Sequence, residues 1–103
     1  MAVTAYSEEQ IRVDIQSYIQ RWGGGYDAWY VGIAKDPAGR LFSEHGVNKQ
    51  EDLWIWRPAT STSAARRIER YFVELLNTGG GPGGGDQESD CVYAYKKTRR
   101  TNP

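Results

Sequence analysis

A chain of 103 residues with thirteen basic and thirteen acidic side chains reads as one small domain without net charge. That balance removes the simple electrostatic argument for a nucleic-acid binder, so any phosphate contact has to come from a local cluster. One cysteine, Cys91, excludes an internal disulfide framework, no stretch approaches the ~18 apolar residues of a membrane span, and the opening MAVTAYSEEQ has neither a basic nor an apolar leader region, which together predict a cytoplasmic protein.

Ser7 followed by Glu8, Glu9 and Gln10 is a helix start, with Ser7 as the cap and Gln10 at the capping-box position. Ile11, Ile15, Tyr18, Ile19 and Trp22 then fall on one face, and the glycines at 23–25 end the helix. YDAWYVGIA is the first strand. Gly32 interrupts it, which signals close approach of a ligand or another part of the chain. Asp36 caps a short helix over Pro37–His45, with Pro37 in its first position and Gly46 at its stop.

DLWIWRP is the second strand, closed by Pro58, and its Trp54 and Trp56 share one face as core or as a binding surface. After the possible caps at 60–63, Ala64 to Leu76 is the strongest helix, with Ile68, Phe72 and Leu75 marking the middle of its apolar face. The stretch NTGGGPGGGD at 77–86 lacks the Lys-Ser/Thr of a phosphate-binding loop and precedes a strand, so it reads as a glycine-permitted connection. CVYAYKKT is the third strand. Residues 1–98 thus form one α+β domain of order α-β-α-β-α-β, a three-stranded sheet flanked by helices, and 99–103 a disordered tail.

Glu69 falls between Ala65, Phe72, Val73 and Leu76, on the packed side of its helix. A carboxylate there is costly unless it pairs with Arg40, Arg57 or a lysine, or binds a metal. Arg40 is either a solvated charge or a phosphate partner, because its planar fork binds two oxygens. His45 is either a partner for the helix C-terminal dipole or a group that moves a proton near neutral pH. Tyr30 alternates with Trp29 and Val31 and so faces the other side of the sheet, as a packing residue or a site residue.

YVGIAKDPAGRLFSEH resembles the second signature of the GIY-YIG nuclease superfamily, with Tyr30 and Gly32 in the Tyr-x-Gly positions, Lys35 in the basic turn and Arg40 at the helix arginine. SAARRIERYFVELL resembles the later helix whose glutamate binds a divalent metal, at Glu69. The resemblance covers about Tyr30 to Leu76. It implies a metal-dependent endonuclease acting on nucleic acid, DNA more than RNA. Mg²⁺ or Mn²⁺ would sit on Glu69, Arg40 on the phosphate, and a tyrosine helped by His45 or Lys35 would orient or deprotonate water. A domain of the same type that binds nucleic acid or protein without cutting is the alternative.

Three positions depart from the pattern. The first-signature strand is missing ahead of Tyr30, Glu44 stands four residues after the arginine with His45 one place later, and the late asparagine is not at its usual distance from Glu69. The last strand, with VYAY, is the expected replacement for the missing one. It should pair with 26–34 and bring Tyr93, or else Tyr95, beside Tyr30.

Overall fold

The computed structural model describes residues 5–80 and 88–103. The elements are α1 (Glu8–Trp22), a 3-10 turn (Tyr26–Ala28), β1 (Trp29–Ala34), a π-helical segment (Gly39–Glu44), β2 (Trp54–Pro58), α2 (Thr62–Arg70) continuing as a second π segment (Tyr71–Leu75), and β3 (Cys91–Lys96). The α+β class and the element order match the sequence reading.

The sheet is antiparallel with order β1-β3-β2, so the last strand in sequence is the central one. Its two neighbours lie parallel to each other and are not paired directly. Alternation along the strands sorts the side chains onto two faces. Trp29, Val31, Ile33, Val92, Ala94 and Ile55 turn towards α1 and α2 and build the main core with Ile11, Ile15, Ile19, Ala65, Ile68 and Phe72. Each such aliphatic side chain contributes about 1.5–3 kcal/mol by burial. Tyr30, Tyr93, Tyr95, Trp54 and Trp56 turn the other way, under Leu41, Phe42 and Val47.

Local chemistry accounts for most element boundaries. The Ser7 hydroxyl accepts from the Gln10 N–H at 3.1 Å, as expected. The Gln10 side chain does not reach back, however, but donates to Asp14 at 2.6 Å. Gly23, Gly24 and Gly25 all take positive φ, 77°, 93° and 75°, a run that other residues adopt only under strain. This turn puts the Gly23 carbonyl 3.0 Å from the indole N–H of buried Trp29. Ser61 caps α2 through the Ala64 N–H, so the helix begins at Thr62, ahead of the expected Ala64.

The π winding corrects two expectations. Leu75, expected at the centre of the apolar face, is 71% exposed. A π turn takes one more residue than an α turn, and this shifts everything after Arg70 round the axis. The short helix after β1 is likewise π-wound over Gly39–Glu44 and ends before His45, where a plain α-helix had been expected. Trp22, the last residue of α1, is also more exposed than its neighbours on the apolar stripe.

Each sheet edge takes one isolated bridge. Gly79 pairs with β1, accepting from the Val31 N–H at 3.0 Å and donating to the Trp29 carbonyl at 2.7 Å, while Tyr6 donates to the Pro58 carbonyl at 2.8 Å on the far edge. The rest of the glycine-rich connection, 81–86, lies outside the described residues. The tail at 99–103 is not frayed. Thr101 is buried, Arg100 reaches Glu51 and Asp52, and Asn102 bonds His45 through its backbone. No helix among the described residues is long and apolar enough to cross a membrane.

Candidate functional site

Register places the tyrosines. Tyr30 stands directly across from Tyr95, and Tyr93 stands across from Gly32. The pairing expected between the last strand and Tyr26–Ala34 is present over Trp29–Ala34, while Tyr26–Ala28 forms a 3-10 turn ahead of the strand. It brings both tyrosines to Tyr30, with ring centroids 5.2 Å away for Tyr95 and 6.3 Å for Tyr93. Gly32 is needed because the Tyr93 ring lies over it. A β-carbon there would stand 2.5 Å from the Tyr93 hydroxyl oxygen. The close approach predicted at Gly32 is therefore that of a side chain from the neighbouring strand.

His45 closes the cluster from the end of the π segment. It is 7% exposed. Its Nε2 lies 2.8 Å from the Tyr93 hydroxyl, its Nδ1 2.8 Å from the Asn102 carbonyl and 3.1 Å from the Tyr95 hydroxyl. The Tyr30 ring sits 4.7 Å from the imidazole. Burial raises the ionisation of Tyr30, Tyr93 and Tyr95 above the ordinary phenol value, so all three are neutral phenols near pH 7. Hydrogen bonding to Tyr93 partly offsets the effect at Tyr30.

The charges of Arg40 and Glu69, which stand on different elements, both act on these phenols. The Arg40 charge favours ionisation of Tyr30 and Tyr93, and the Glu69 charge opposes it at both. Arg40 pairs loosely with Glu44, at 3.5 Å and four residues on, a half-exposed bond worth about 0–1 kcal/mol. Glu69 is 3% exposed. Its expected ion-pair partners are engaged elsewhere, Arg57 with Asp14 and Arg40 with Glu44. Among the described residues it makes no hydrogen bond or salt bridge. Burial pushes its carboxyl up to about 7, against a smaller opposing pull from Arg66 and Arg70.

Lys35 is not brought to the tyrosines. It pairs with Glu88 at 2.7 Å and lines, with Arg40, Asp36, Gly39, Glu44 and Ser89, a cleft of about 190 Å³. Trp54 and Trp56 extend the tyrosine face, paired in register with Tyr95 and Tyr93. They stack at 5.2 Å, and Phe42 meets Trp54 edge-on at 5.1 Å.

Sequence reasoning missed the Asn102 backbone, which carries no side-chain signal, and the second contact from Tyr95, which only the register reveals. No group of three or more His, Cys, Asp or Glu able to hold a metal is found among the described residues. A cation here would rest on one protein carboxylate. Glu69 fits that role, being a buried carboxylate without a hydrogen-bond or ion-pair partner among the described residues, and Mg²⁺ takes such an oxygen along with water and phosphate oxygens. No protein-family model, curated protein or solved structure matches the chain, so the site stands on its own geometry.

Proposed function

We propose that the protein is a metal-dependent endonuclease of GIY-YIG type that hydrolyses phosphodiester bonds in nucleic acid, DNA more than RNA. The observation that carries this reading is the bonded Tyr93–His45 pair packed against the Tyr30 ring, with the charges of Arg40 and Glu69, on two further elements, both acting on these phenols. The π winding adds support. The His45 N–H bonds the Arg40 carbonyl five residues back, at 2.8 Å. One extra residue is absorbed in that turn, so the histidine one place late in sequence still stands about one turn from the arginine.

A divalent cation on Glu69, such as Mg²⁺ or Mn²⁺, would supply Lewis-acid stabilisation at the scissile phosphate. Arg40, free to leave Glu44 at little cost, offers two parallel N–H donors to the phosphate oxygens. Tyr30, half-buried at the rim of the cluster, orients the attacking water. The proton that water loses passes to the Tyr30 oxygen as the Tyr30 proton moves to Tyr93 and the Tyr93 proton to His45 Nε2. Both phenols end neutral, in keeping with their raised pKa values, and the imidazole ends protonated.

Incubation of the purified protein with supercoiled and branched DNA in Mg²⁺ or Mn²⁺ tests the reading. Cleavage is expected, and Glu69→Ala and Arg40→Ala should each reduce it by about 10²-fold or more. Cutting that survives in both variants would assign it to a contaminant or another site. The half-exposed Trp54–Trp56 stack favours a second reading, a non-cutting domain that binds nucleic acid or protein through this aromatic face. DNA binding that needs Trp54 and Trp56, without cleavage in either metal, would select it.

A further inference from the structure

We propose that the segment Thr98–Asn102 is a positioning strap that holds His45 in its Nδ1-protonated form, so that Nε2 faces Tyr93 as a proton acceptor. His45 is the one histidine of the chain. Its Nδ1 lies 2.8 Å from the Asn102 carbonyl oxygen. A carbonyl can only accept, so Nδ1 carries the hydrogen. A neutral imidazole has a single N–H, which leaves a lone pair on Nε2. The Tyr93 hydroxyl, 2.8 Å away, is then the donor. The Tyr95 hydroxyl, 3.1 Å from Nδ1, serves as a second acceptor for the same N–H.

The strap is built for this placement. The Asn102 N–H donates to the His45 carbonyl at 2.7 Å, so the two residues are joined at backbone and ring together. Thr101 closes the preceding turn: its hydroxyl accepts from the Thr98 N–H at 2.8 Å and donates to the Thr98 carbonyl at 3.1 Å. Arg100 fixes the turn to the segment before β2 through Glu51 at 3.3 Å and Asp52 at 3.1 Å. The bonds that hold His45 are backbone bonds, which makes the strap a positioning device, not a set of catalytic residues. When Nε2 takes the Tyr93 proton, the imidazolium keeps its Nδ1–H on the Asn102 carbonyl, whose dipole favours the new charge. That catalytic consequence rests on the nuclease reading; the tautomer does not.

Long-range ¹H–¹⁵N NMR of the full chain labelled at histidine, at pH 8, reads the tautomer from one ring. A protonated Nδ1 and a lone-pair Nε2 are expected. Tyr93→Phe should keep that form, because the strap and not the tyrosine sets it, and Asn102→Ala should keep it because the contact is through the backbone. A chain ending at Arg100 should lose the preference for Nδ1–H. An Nε2-protonated ring in the full chain, or a flip in Tyr93→Phe, overturns the proposal whether or not the shortened chain folds, and so does a folded shortened chain with unchanged tautomer. A wild-type protein that cuts neither DNA nor RNA but shows the Nδ1-protonated ring would sink the nuclease reading and leave the strap standing.

Discussion

Glu69→Gln is expected to make the protein more stable at pH 8, by about 3 kcal/mol, and to leave its stability at pH 4.5 nearly unchanged. In the folded chain burial raises the Glu69 carboxyl from 4.5 to about 7. The native state therefore holds this proton more tightly than the unfolded state. The stability it contributes is complete below pH 4.5, falls as the pH rises from 4.5 to about 7, and is gone above. At about 1.4 kcal/mol per pH unit, that interval gives the quoted difference, or roughly 10–20 °C in Tm for a domain of this size.

Glutamine has the same shape and no charge, so it should escape the fall. The wild-type-minus-variant difference, followed by urea unfolding across pH, isolates this group from the other carboxylates. A difference that does not change with pH would mean that Glu69 is not buried unpaired. Mn²⁺ extends the test. At pH 8 it should raise the wild-type midpoint, by about 2.7 kcal/mol at a hundredfold excess over Kd, and leave Glu69→Gln where it was. An equal response in both proteins would remove Glu69 as the metal ligand.

Gly32→Ala should cost about 1–3 kcal/mol, although alanine is otherwise the better strand residue. The new methyl would stand 2.5 Å from the Tyr93 hydroxyl oxygen and 2.6 Å from its ring carbon. The ring is fully buried and bonded to His45, so it cannot swing aside without giving up that bond. Urea midpoints read the loss of stability. A shift of the His45 Nε2 resonance reads the broken contact. If both stay at their wild-type values, the ring does not lie over Gly32.

What the sequence reveals divides along physical lines. Capping and periodicity are local, and Ser7, Ile11, Ile15, Ile19 and Ser61 behave as such signals imply. The inward placement of Glu69 follows from the same projection, because Glu69 precedes the π segment; Leu75 follows it and escapes. Nothing in YFVEL marks the change of winding. The tyrosine cluster is legible only halfway. Resemblance to a known signature points to Tyr30 and Arg40, and the missing strand points to VYAY, but only register decides that Tyr95 faces Tyr30 while Tyr93 crosses to Gly32. The tail was misread because its grip on His45 runs through backbone atoms, which every sequence supplies alike.

The central position of β3 governs how the molecule folds. Its ladder joins Trp29 to Lys96 and Trp54 to Tyr95, partners far apart along the chain, and no two strands among the described residues form a hairpin. Closing such distances costs loop entropy before any pairing is gained, which slows folding relative to a helical domain of equal size. In the folded sheet Cys91–Lys96 is the strand that joins β1 to β2. That strand carries Tyr93 and Tyr95, the two hydroxyls bonded to His45, so the proposed site is complete only with it in place. The sheet and the proposed site therefore depend on the same long-range pairing of the last strand.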